Sequence, residues 1–159
     1  RGLDTMHVAD MVIECMQVAK VDAVVVDGVG IGAGVVDRLR QLGHRRITDF
    51  QAGGSANDPK IYANRRAEVW GLMREALRAG VEIPDDRELI DDLVAPEYGF
   101  TPKQQILLER KEDMKKRGLA SPDAGDALAL TFAIKPSATL RSDNQAERVA
   151  VADYEPFNT

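Results

Sequence analysis

Cysteine is nearly missing from this chain: Cys15 is the one thiol in 159 residues, so no disulfide within a monomer can staple the fold, and a reducing compartment is expected. Set in an apolar helical pattern, Cys15 reads as a small buried hydrophobe. Aromatic residues make up 5% of the chain and histidines number 2. His7 and His44 stand too far apart in pattern to suggest a zinc site. No apolar run approaches the roughly 20 residues that span a bilayer, and the N-terminus lacks the basic-then-apolar signature of a secretion signal. A soluble, cytoplasmic protein without membrane partners is therefore expected. Positive charge is not in surplus either. The formal net charge of -5 excludes a surface that clings to nucleic acid throughout and leaves any polyanion site to a local patch.

What is present suffices for one domain, since 44% of the residues are hydrophobic and can build a core. The chain opens without methionine and runs almost at once into a helix, as a piece of something longer would. Residues 5–19 place Val8, Met11, Val12, Cys15, Met16 and Ala19 at helical spacing, with Asp4 or Thr5 as cap. The β-branched run at 21–28 predicts a strand buried on both faces, followed by a helix over 33–42 and a second strand over 45–52, which together make a βαβ unit. A polar loop (53–64) leads into a helix over 64–79 closed by Gly80. An acidic helix near 86–94 and a short hairpin followed by a basic stretch (95–118) come next. Ser121 is the expected N-cap, and Pro122 the first helical residue, of a helix running to 134. Residues 1–135 are expected to form the domain, and 136–159 a polar tail.

The stretch VVVDGVGIGAGVVDRL (24–39) admits two readings. Gly28, Gly30 and Ala33 fit a loose dinucleotide fingerprint, with Asp49 about twenty residues on, which would make this an oxidoreductase domain. Three features weaken that reading: Asp27 would repel a pyrophosphate, alanine takes the third glycine position, and no second alternating run of strands and helices follows. Alternatively, Asp27 lies at the carboxyl end of a strand, where open α/β sheets gather their binding groups. There it could hold a metal, or merely cap the turn.

Asp123 and Asp126, three apart at a helix start, share one face. Capping and the helix dipole alone would account for acids there. Equally, Mg²⁺ or Mn²⁺ favours few carboxylates together with waters and phosphate oxygens, which suits Asp27 and Asp123 converging from separate elements. Two such ions about 4 Å apart can activate water and stabilise a leaving oxygen.

Three stretches, VVVDGVGIGAGVVDRLRQLG, YANRRAEVWGLMREAL and LERKEDMKKRGLASPDAGDALALTFA, in this order and spacing resemble the C-terminal nuclease domain of the large terminase subunit of tailed bacteriophages. The resemblance implies an RNase H-like α/β fold, with a mixed sheet flanked by helices, and a two-metal endonuclease that cuts concatemeric viral DNA during packaging. It matches Asp27 to the family's acid at the end of the central strand and Asp123 to the acid at the start of the last helix. Asp126 matches the following acidic position, in a supporting or second-ligand role. A further metal-bridging aspartate belongs, in the family, to a first hairpin that this sequence is expected to begin after; one ligand would then be missing and the fragment alone inactive. The implied partners are double-stranded DNA, an N-terminal ATPase domain, the portal and the small terminase subunit, in a bacterial host carrying a phage or prophage. No G-x-x-x-x-G-K-[ST] loop for that ATPase occurs here.

An acidic nuclease needs local cations for phosphates. Lys111 is the first candidate, followed by Lys115, Lys116 and Arg117, and by Arg65 and Arg66; Arg38, Arg40, Arg45 and Arg46 form a further basic group. The acidic run Glu82, Asp85, Asp86, Glu88, Asp91 and Asp92 lacks calcium-loop spacing and reads as a solvated face. Trp70, Met73 and Leu77 form a helical core stripe. A catalytically inactive DNA-binding or assembly module remains the alternative of a different class.

Overall fold

The computed structural model describes residues 4–19, 21 and 23–135; the expected tail at 136–159 lies outside them. Six helices and four strands follow in the order α1 (Thr5–Ala19), β1 (Val24–Asp27), α2 (Ile31–Gln41), β2 (Ile47–Phe50), α3 (Arg65–Arg78), α4 (Arg87–Val94), β3 (Tyr98–Phe100), β4 (Ile106–Leu108), α5 (Lys111–Lys116) and α6 (Asp123–Leu130). Strands β1 and β2 pair in parallel with Val24 opposite Ile47 and Asp27 opposite Phe50, the α2 crossover making the expected βαβ unit. Strands β3 and β4 form the expected hairpin, antiparallel and joined to the loop before α3 by the isolated bridge Tyr62–Ile106. Among the described residues the mixed strand directions thus belong to two small sheets rather than one continuous one.

The alternation of side chains along a strand divides the core. Val24, Val26 and Ile47 face α1 and α2, where Ala9, Val35, Val36 and Leu39 are buried. Val25 and Phe50 face the other way, onto Val69, Trp70 and Met73 of α3 and Ala129 of α6. Asp27 shares the parity of Val25, so the sheet's last carboxylate points toward α3 and α6.

Two local expectations are corrected. Cys15 is exposed rather than buried, because α1 packs on α2 with one stripe only, that of Val8, Ala9, Val12, Ile13 and Met16, and Cys15 falls outside it. The last helix starts at Asp123 with Pro122 at the N-cap and no side-chain cap bond from its own segment, so Ser121 does not cap it. Both predicted strands are also shorter than their apolar runs.

Candidate functional site

The turn after β1 is built by glycine for backbone reasons. Gly30 has φ +67°, a left-handed conformation that glycine adopts without penalty. Gly28 is buried, its N–H donates to Phe50 O at 2.9 Å, and a Cβ there would collide with the Asp49 carboxylate. Asp49 in turn accepts from Gln51 Nε2 at 2.7 Å. The glycine at 28 is thus required by the packing of β1 against β2 and the turn after it, a need that arises without any bound dinucleotide. Asp27 remains exposed, with Val29 N donating to its Oδ1 at 3.3 Å.

A cavity of about 220 Å³ opens beside it, lined by Asp27, Asp123, Asp126, Arg66, Lys111 and Trp70, with Phe50 and Val69 among the apolar walls. Strand β1, helices α3 and α6 and the first residue of α5 all contribute. Asp126 is the most heavily bonded group there. Its Oδ1 accepts from Trp70 Nε1 at 2.8 Å and from Arg66 Nε at 3.1 Å, and its Oδ2 faces Lys111 Nζ at 2.7 Å. Asp123, by contrast, is exposed and has Lys111 Nζ at 3.9 Å.

Arg66 ties the group to the hairpin by donating from Nη1 to Glu109 O at 2.9 Å, while its Nη2 is buried with no partner. A buried guanidinium N–H without an acceptor is costly, and here it belongs to a residue lining an anionic cavity. Both cations are drawn in by carboxylates, so the cavity carries opposite charges side by side and not a bare acidic cluster.

The other predicted cations stand elsewhere. Arg65 donates to Glu68 Oε2 at 2.9 Å and to Ala133 O at 3.1 Å. Glu68, 4% exposed, also accepts from Asn57 N and Asp58 N, which fastens the loop before α3. Arg117 pairs with Glu97 and Glu109, and its guanidinium holds the Glu109 carboxyl below the usual carboxylate range. Lys116 pairs with Asp113, while Lys115 is exposed on the same short helix. Of the six predicted DNA-binding residues the cavity therefore gathers two, Lys111 and Arg66.

Among the described residues no three His, Cys, Asp or Glu side chains stand close enough together to enclose a metal ion by themselves. The donors present are hard oxygens, with Asp27 and Asp123 both exposed at the cavity. Such a set fits a small divalent cation that keeps waters and takes further oxygens from a phosphate, as Mg²⁺ and Mn²⁺ do.

Sequence reasoning missed Asp92, whose Oδ2 accepts from Ala124 N and Gly125 N at the start of α6. It also took Trp70 chiefly as core. Trp70 is core, 8% exposed, and its indole N–H is in addition spent on Asp126. The single tryptophan of the chain was itself a usable hint, because a buried indole N–H has to find an acceptor. Among the described residues no helix is long and apolar enough to cross a membrane.

No protein-family model and no curated protein matches this chain. Solved structures do. The nuclease domain of the large terminase subunit of bacterial virus Sf6 is similar at 21% identity, covering 81% of this chain and 72% of that one with a TM-score of 0.62. A point mutant of the same domain with manganese is 21% identical over 80% of this chain and 72% of that one, with a TM-score of 0.63. The mutant with calcium gives 21%, 80%, 71% and 0.62 for the same four quantities. The chain shares the fold of that terminase nuclease domain.

Proposed function

We propose that this chain is the nuclease domain of a phage or prophage DNA-packaging terminase, a Mg²⁺- or Mn²⁺-dependent endonuclease that cuts concatemeric viral DNA. The observation that carries the reading is the convergence of Asp27, Asp123, Asp126, Lys111 and Arg66 on one cavity, in a fold shared with a nuclease domain that has been solved with manganese and with calcium.

Asp27 and Asp123 would hold the divalent cation, with Asp126 beside them as support. The cation, when bound, supplies a nucleophile at neutral pH and charge stabilisation for an in-line displacement at phosphorus, in a two-ion arrangement. The remaining work falls to the chain's own side chains. Lys111, held at 2.7 Å by Asp126, presents its ammonium to a phosphate oxygen. Arg66, fixed by Asp126 and by Glu109 O, adds positive charge to the same wall. Lys115, Lys116, Arg117 and Arg65 would contact the duplex backbone outside the cavity. Phosphate contacts fix register and carry no sequence information, so little base specificity is expected from these residues. The larger assembly would comprise an ATPase domain, the portal and the small subunit, in the bacterial host cytoplasm.

The test is nicking of supercoiled plasmid in Mn²⁺, Mg²⁺ or EDTA, by this chain and by a version extended N-terminally through the hairpin that the resemblance implies. Cleavage lost in EDTA and in Asp27→Ala and Asp123→Ala is expected. An extended protein that is folded yet inactive overturns the reading in favour of an assembly module.

A further inference from the structure

Helix α6 starts without a cap of its own. Pro122 at the N-cap position offers no side-chain acceptor, and the N–H groups of the first turn have no intrahelical partners. Those of Ala124 and Gly125 donate instead to one oxygen on a different helix: Asp92 Oδ2 of α4, at 2.8 and 3.1 Å. These are the two amides that a Ser, Thr, Asp or Asn at the N-cap would ordinarily satisfy. The seam is tight, since a Cβ on Gly125 would stand 3.0 Å from the Trp70 ring and 3.2 Å from Asp92 Cβ. Asp92 therefore grips α6 at the peptides that directly follow Asp123.

The two acids of α6 are held in different ways. Asp126 is fixed through its side chain by Trp70, Arg66 and Lys111. Asp123 has no side-chain donor within hydrogen-bond range among the described residues; the nearest cation is 3.9 Å away and its side chain is 70% exposed. Where its carboxylate stands is thus set by the backbone of the first turn.

We infer that Asp92 is the positioning residue for Asp123: by capping α6 from α4 it fixes where the Asp123 carboxylate meets the cavity. The role is geometric, and the charge of Asp92 at the same helix end is a lesser contribution. The inference rests on the reading of Asp123 as a cation ligand.

Trp70, the single tryptophan, lines the cavity and reports on it, because Mn²⁺ quenches a nearby indole. Mn²⁺ is titrated into the full chain and into its Asp123→Asn, Asp92→Asn, Asp92→Glu and Asp92→Ala variants, with tryptophan fluorescence as the readout and urea unfolding as the control for stability. Asp92→Glu keeps the charge but moves the acceptor by one methylene, and Asp92→Asn keeps an acceptor in place without charge. The positioning role predicts an affinity loss of about tenfold or more for Asp92→Glu and Asp92→Ala, in the range seen when supporting partners of metal ligands are removed. For Asp92→Asn it predicts about two- to fivefold, the size of a charge effect at a helix end. Folded Asp92→Glu that binds Mn²⁺ as the wild type does overturns the inference, and leaves Asp92 a stability cap only. So does a tenfold loss confined to Asp92→Asn, which would make charge the main effect. Wild-type fluorescence that Mn²⁺ does not quench saturably, or quenches identically in Asp123→Asn, defeats the cation reading itself and this inference with it, a failure visible without any Asp92 variant.

Discussion

The two faces of the β1–β2 sheet bury apolar residues in comparable numbers and do different work. On the α1/α2 face the cluster of Ala9, Val35, Val36, Leu39 and Ile47 is entirely aliphatic. On the α3/α6 face the cluster contains Phe50 and Trp70 and runs straight into the charged cavity. A purely aliphatic layer has no polar group to satisfy, so its stability depends on volume alone. The other layer has to place an indole N–H, a guanidinium and an ammonium around one carboxylate. It is held by fewer, directional interactions, and each of them also aims something at the cavity. On the proposed function, the first face should lose a methyl group without any change in chemistry, and the second should not lose a hydrogen bond without one.

The largest expected effect breaks the aliphatic face. Leu39 is fully buried, and Leu39→Ala should cost about 2–5 kcal/mol in urea unfolding by transfer and cavity terms. The Mn²⁺ response of the protein that remains folded should be unchanged. Trp70→Phe sharpens the other side: it keeps most of the ring packing but removes the N–H that meets Asp126 at 2.8 Å. A hydrogen bond to a charged group is worth about 1.5–3 kcal/mol, and here plasmid nicking should fall together with stability. If Trp70→Phe lowers stability and leaves cleavage untouched, the contrast between the faces fails. Gly125→Ala acts on the same face by crowding. A Cβ there meets Trp70 at 3.0 Å and Asp92 at 3.2 Å, and overpacking of that kind costs about 1–3 kcal/mol. Its measurable sign is a lower unfolding midpoint with weaker Mn²⁺ binding, since α6 must shift against α4.

Much of this was legible in the sequence where the signal is local. The helical stripes of α1, α2 and α3, the parallel βαβ unit and the hairpin follow from periodicity and from turn residues such as Gly43 and Gly80, both at positive φ. Asp27, Asp123 and Asp126 could be singled out because the end of a parallel strand and the start of a helix are places where such groups gather. What escaped is long-range. Asp92 looked like one more acid on a solvated helix, and nothing local joins it to amides 32 and 33 residues further on. Nor was the demand visible, because Ser121 read as the N-cap; with Pro122 at that position instead, the segment has no side chain to cap α6. Glu68 likewise carries no local signal of its role, which is to hold the loop amides of Asn57 and Asp58. The exposure of Cys15 and the shortness of the strands depend on how far neighbouring elements extend, which periodicity does not report.

The smallest effect concerns the ion pairs of Arg117 beside the β3–β4 hairpin and marks where directional bonding ceases to matter. Arg117 holds the Glu109 carboxyl below its ordinary value of 4.5, chiefly through their hydrogen bond, with the Glu97 N–H adding to it. A carboxyl whose pKa is depressed on folding contributes stability above its unfolded value, and that contribution is lost as pH falls through the folded one. The loss should therefore begin only below about pH 4.5 and should appear as a shift of the Arg117 Nε–H resonance, with the β3–β4 hairpin loosening in step. Arg117 is 38% exposed and the Glu109 side chain 12%, so salt reaches the pair mainly through the guanidinium: 1 M salt should weaken the response, and Glu109→Gln should abolish it at any ionic strength. The Asp126 cluster, whose donors Trp70 and Arg66 are 8% and 15% exposed, should hold its geometry under the same salt. Equal salt sensitivity at Arg117 and at the Trp70 indole N–H would mean that the cavity's bonds are no better shielded than those of the surface.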